Sequence, residues 1–128
     1  MALRDQIRIM VVDDMSTSRG LITQTLDSLG VRHVYTADDG ARALNALSHQ
    51  PVHLVVSDYN MPNMDGLKLL HNLRSNEPTK AIGFILITGR AEQSIIDYGR
   101  KLGMNNYLKK PFQPNDLRQC IEAVVGPL

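Results

Sequence analysis

Cysteine is almost absent from this chain, and the single residue, Cys120, cannot build an intrachain disulfide framework. A reducing compartment is the simple inference. Long hydrophobic runs are absent too. The start, Met1 to Gln6, carries Arg4 and Asp5, no apolar signal-type region follows it, and no run approaches membrane-spanning length. A cytoplasmic location is expected. Excess charge is also lacking. A formal net charge of +1 gives no general attraction to nucleic acid or to an anionic membrane, and neither is expected as a partner. Repeats, low-complexity tracts and linkers are missing, and 128 residues leave no room for a second domain of ordinary size. One domain over residues 1–128, with no output domain attached, is the expectation. The four histidines, His33, His49, His53 and His71, have no metal-ligand spacing.

What is present is an alternation of short apolar runs with longer segments of helical period. Ile7–Val12 is nearly all apolar and breaks at Asp13-Asp14. Ser16–Leu29 has Ile22, Leu26 and Leu29 at helical spacing and stops at Gly30. Val31–Ala37 reads as a mixed strand, and Asp39-Gly40 opens a helix that ends before Pro51. Val52–Ser57 is a second apolar run, ending at Asp58. Asp65-Gly66 opens a helix through Leu67, Leu70 and Leu73. Ile82–Thr88 is the third apolar run, Glu92–Leu102 a helix closed by Gly103, Asn106–Lys110 a polar-flavoured strand and Pro114–Val125 a last helix. Five strand–helix units predict an α/β protein with a parallel sheet and helices on both faces. The nearly all-apolar strands belong inside the sheet and the two polar-flavoured ones at its edges. This fits the flavodoxin-like, doubly wound (βα)5 order 2-1-3-4-5.

Open parallel sheets bind ligands outside the carboxyl ends of their strands. The residues expected there are Asp13 and Asp14 after strand 1, Asp58 after strand 3, Thr88 after strand 4 and Lys110 after strand 5. Three carboxylates in one crevice repel each other, and a hard divalent cation such as magnesium relieves that with carboxylate and carbonyl ligands. A carboxylate can also attack phosphorus to form an acyl phosphate. Positioning and charge neutralisation then carry phosphoryl transfer, from magnesium, Lys110 and the Thr88 hydroxyl.

Four motifs in order, Val11-Val12-Asp13-Asp14, Ser57-Asp58-Tyr59-Asn60-Met61-Pro62 with Asp65-Gly66, Ile87-Thr88-Gly89 and Lys110-Pro111-Phe112, resemble the receiver domains of two-component response regulators over roughly residues 7–125. Within that family, Asp13–Arg19 and the lack of an output domain are most similar to the single-domain chemotaxis regulators. The resemblance implies that Asp58 is the phosphoacceptor for a histidine kinase. It implies magnesium on Asp14 and Asp58, with Asp13 acting largely through water and the Asn60 backbone carbonyl completing the set. It further implies that Lys110 pairs with the phosphoryl group and Thr88 rotates inward to it. Tyr107 matches the family's switch aromatic, and Pro111 the proline after a cis peptide bond. Signalling would follow from a remodelled surface of Ala91, Gln93, Ile95, Ile96, Tyr107, Lys109 and Cys120, read first by a flagellar motor switch protein and with a phosphatase as a further partner. The chain would act as a monomer and catalyse only its own phosphorylation and dephosphorylation. Arg90, two residues after Thr88, would tune access of water to the phosphoryl group. Lys109 stands where chemotaxis relatives usually have an apolar residue, so the partner can differ from theirs.

Each residue has a plainer reading. Asp13-Asp14 suits a solvated turn or a helix cap, and Asp58 another cap. Thr88 suits an ordinary strand, Lys110 the open surface and Tyr107 simple packing. Cys120 suits a passive buried thiol. Among rival functions, a phosphate sink or phosphorelay receiver without motor binding shares the same chemistry. A flavodoxin-like electron carrier would need a phosphate-cradling loop where Asp13-Asp14 stands. One class of aspartyl-phosphate hydrolase would need an aspartate where Asn60 stands.

Overall fold

A computed structural model describes residues 2–90 and 92–128. A one-turn helix, α1 (Leu3–Gln6), precedes β1 (Arg8–Val12), α2 (Ser16–Ser28), β2 (His33–Ala37), α3 (Gly40–His49), β3 (Leu54–Asp58), α4 (Gly66–Ser75), β4 (Gly83–Thr88), α5 (Gln93–Lys101), β5 (Asn106–Lys109) and α6 (Pro114–Val125). The strands form one parallel sheet in the order β2-β1-β3-β4-β5, the doubly wound arrangement expected from the sequence.

The three apolar runs supply β1, β3 and β4, the inner strands. Their side chains alternate between two cores. Ile9, Val11, Leu54, Val56, Ile85 and Ile87 pack with Ile22 and Leu26 of α2 and Leu117 and Ile121 of α6. Met10, Val12, Val55, Phe84 and Leu86 pack with Leu47 of α3, Leu70 and Leu73 of α4 and Ile96 of α5. The period of two along each strand explains why these runs are apolar throughout: both faces are covered. Burying one such side chain contributes about 1.5–3 kcal/mol before chain entropy is set against it.

The helix ends follow local chemistry. Asp39 and Asp65 cap α3 and α4, their side chains accepting from the Arg42 and Lys68 amides at 2.7 and 2.8 Å. At the end of α2, Gly30 has φ of 87° while the Val31 amide bonds the Leu26 carbonyl at 3.1 Å and the Gly30 amide bonds that of Asp27 at 3.0 Å. Gly103 closes α5 with the same pair of bonds, to Gly99 and Arg100, at φ of 97°. The short α1 lies in a segment the sequence left unassigned, because one turn shows no period. Val12 is level with Ser57, Asp58 with Ile87 and Thr88 with Lys109. The strand ends therefore share one rim.

Candidate metal and phosphoacceptor site

Asp13 leaves β1 fully buried. Its Oδ1 accepts the Met15 amide at 3.0 Å, a local turn just ahead of α2, and Arg19 Nη1 donates to its carbonyl at 2.7 Å. Its Oδ2 is also buried and has no hydrogen-bond partner. Asp14 is exposed, and Asp58, the last residue of β3, is 7% exposed. Carboxylate oxygens of Asp13, Asp14 and Asp58 all lie within 4.8 Å of one another.

The opposite charge comes from Lys110, just past β5, whose amide bonds the Thr88 carbonyl at 2.8 Å. Its Nζ donates to Asp58 Oδ1 at 2.9 Å and to Ser18 Oγ at 3.2 Å. The Lys110–Pro111 peptide is cis. Burial pushes the Asp58 carboxyl above the usual carboxylate range, Lys110 opposes this through its hydrogen bond and its charge, and Asp13 and Asp14 reinforce it. Behind Asp58 the main chain is tight. A Cβ on Gly66 would stand 2.5 Å from the Asp58 carbonyl oxygen and 2.7 Å from Leu86 Cδ1, so only glycine fits there.

Three carboxylates against one ammonium leave the crevice short of two positive charges, and a buried bare oxygen, Asp13 Oδ2, faces this deficit. An uncompensated buried charge is costly. Oxygen-only donors with no histidine or cysteine among them suit a hard divalent cation, magnesium above the softer metals. The residues present fit such an ion.

Thr88 is buried and turned the other way. Its Oγ1 donates to the Arg90 carbonyl at 3.1 Å and accepts the Arg90 amide at 2.9 Å. Asn60 and exposed Arg90 line, with Asp58, Asp65 and Thr88, an open cleft of about 510 Å³ beside the carboxylates. Tyr107 is half-buried against the cluster that holds Ile95 and Ile96, and Lys109 is exposed. Ala91 lies outside the described residues. Two members of the expected signalling surface are not on it. Ile96 is 4% exposed, on the inward stripe of α5, and Cys120 is 7% exposed, its Sγ 3.5 Å from the Tyr107 carbonyl. Burial raises the Cys120 thiol to about 11, so it is a passive packing group. Ser18 escaped notice in the sequence because it meets Lys110 only through the fold.

The family model for the response regulator receiver domain matches residues 9–122. A probable chemotaxis protein CheY of Rhizobium etli is 39% identical over 128 residues, covering 100% of this chain and 99% of the relative. The CheY4 chemotaxis protein of Vibrio cholerae superposes with a TM-score of 0.87 at 28% identity, over 94% of this chain and 99% of its own. The receiver domain of the sensor histidine kinase PA1611 of Pseudomonas aeruginosa, solved with magnesium coordinated in its active site cleft, superposes at 0.85 and 28% identity, over 95% and 99%. By matched family model and by full-length relatives alike, this chain belongs to the response regulator receiver domains.

Proposed function

We propose that the chain is a magnesium-dependent phosphorylation switch that takes a phosphoryl group from a histidine kinase onto Asp58. The observation that carries this is the placement of Asp58, buried at a strand end with one oxygen on Lys110 and two further carboxylates within 4.8 Å. Asp13, Asp14, Asp58 and the Asn60 backbone carbonyl would hold magnesium, which supplies charge neutralisation for the attacking carboxylate and the phosphoryl oxygens. The free oxygen of Asp58 attacks phosphorus, the phosphorus–nitrogen bond of the donor phosphohistidine breaks, and the imidazole leaves. Lys110 stays paired with the acquired charge. Thr88 exchanges its two bonds to the Arg90 main chain for one to a phosphoryl oxygen, and Tyr107 responds on the far side of β4. The outcome is a shift between two states of the surface around Ile95, Tyr107 and Lys109, as large as the differential binding of the phosphoryl group allows.

Relatives named as chemotaxis proteins, matched over nearly their whole length, support a cytoplasmic chemotaxis regulator; a flagellar motor switch protein as its output and a phosphatase for its reset extend that reading. The test is intact mass after incubation with magnesium and acetyl phosphate. Wild type gains one phosphoryl group, chelator abolishes the gain, and Asp58→Asn never shows it. No gain in wild type, with acetyl phosphate or with a phosphorylated kinase domain, overturns the reading. A gain without tighter binding of any motor component points instead to a phosphate sink or relay.

A further inference from the structure

Lysine is a poor tool for holding a charge in one place. Its ammonium sits on a flexible four-carbon stem, and its three donors rotate freely. At this site the stem is anchored by more than Asp58. Lys110 Nζ donates to Ser18 Oγ at 3.2 Å, a contact between residues 92 positions apart in the chain. Ser18 belongs to the first turn of α2, and side chains on a helix lean toward its N-terminus. That end of α2 stands on the rim where β1 and β3 finish, so Ser18 leans over the crevice. The Lys110 side chain is still 31% exposed, and with Asp58 alone it would be free to swing toward water.

From this geometry we infer that Ser18 is a positioning residue for Lys110, holding the ammonium over the Asp58 carboxylate. The inference rests on the phosphoacceptor reading. Phosphorylation turns one Asp58 oxygen into the bridging oxygen of an acyl phosphate and places the negative charge further out, on the phosphoryl oxygens. Lys110 must follow that charge without leaving the site. Ser18 keeps one of its donors fixed on α2 while another moves from carboxylate to phosphoryl oxygen. Without Ser18 the ammonium spends more time in solvent, and the reacting arrangement is rarer. The change in stability is bounded by the one hydrogen bond removed, so the fold persists and the loss is read in the phosphorylation rate.

The experiment uses the full chain, acetyl phosphate and magnesium, with the rate of mass gain as readout. Ser18→Ala is expected to phosphorylate about tenfold more slowly, as for loss of one hydrogen bond to a charged group. Its melting temperature falls by no more than the few degrees that one lost hydrogen bond costs, so the variant is fully folded in the assay. Ser18→Thr, which keeps the hydroxyl, recovers the rate to within about twofold. In a Lys110→Ala background, Ser18→Ala costs nothing further, because the partner it positions is gone. Equal rates for Ser18→Ala and wild type overturn the assignment and leave the phosphoacceptor reading standing. A Ser18→Ala loss that persists undiminished in the Lys110→Ala background also overturns it. Failure of wild type itself to gain mass is failure of the phosphoacceptor reading, and is seen before any variant is compared.

Discussion

Two aspartates that each stand just ahead of a helix do different work at residue scale. Asp65 spends its side chain on the Lys68 amide and is a helix cap. Asp13 spends only one oxygen on a local turn and keeps the other buried and bare. The plain reading of an aspartate pair as turn or cap is therefore half true for Asp13, and the remaining oxygen is the one that points to a metal. The backbone around Asp58 is just as particular. Gly66→Ala forces a methyl against the Asp58 carbonyl, which cannot retreat without moving Asp58 off the end of β3. We expect a loss of about 2–3 kcal/mol in urea unfolding, the usual scale for overpacking, together with slower phosphorylation. A variant as stable as wild type would show that the α4 start relaxes freely.

Among the elements, the loops at the far side of α4 hang on a single side chain. Arg74 donates to the carbonyls of Lys80 at 3.0 Å, Ile82 at 2.6 Å and Gly103 at 2.9 Å, and to Asn105 Oδ1 at 3.2 Å. Asn105 Oδ1 in turn accepts the Phe84 amide at 2.8 Å. One guanidinium thus ties the entry of β4 to the entry of β5. Arg74→Met should cost about 2 kcal/mol in urea unfolding, because several carbonyls lose a charged donor, while the rate of phosphorylation at the opposite rim stays near that of wild type. A coincident fall in both would mean that the loops and the crevice move together. Legibility also divides at this scale. The strands and their order were readable because apolar runs covered on both faces look different from edge strands. The convergence of Asp13, Asp14, Asp58, Thr88 and Lys110 was readable because each ends a run. Side-chain partners set by the path of the main chain were not. The Thr88 bonds to Arg90 are a local turn that the strand reading passed over, and the Ser18 contact with Lys110, 92 residues apart, has no local signal at all. The burial of Ile96 was misjudged because Ile95 and Ile96 are adjacent, and only the tilt of α5 decides which of them faces the core.

For the whole molecule, the crevice is a point of electrostatic stress that magnesium would relieve. A ligand that binds only the folded form stabilises it by about 2.7 kcal/mol at a hundred times its dissociation constant. Magnesium is therefore expected to raise the melting temperature by several degrees over the same protein in chelator. Asp13→Asn keeps an acceptor for the Met15 amide but removes one of three repelling charges. It should melt above wild type in chelator and show a smaller rise with magnesium. An unchanged melting temperature across all four conditions would separate the carboxylate cluster from metal binding. The Thr88 hydroxyl has a wider consequence. It is at once the clasp that fastens the chain after β4 and the group a phosphoryl oxygen would recruit, and it cannot do both. Thermodynamic linkage makes such a competition run in both directions. Any protein that grips the unfastened form of that segment would, by the same free energy, deepen the hold of the pocket on its phosphoryl group, so the listener at the surface would also help set what share of the molecules carries the message.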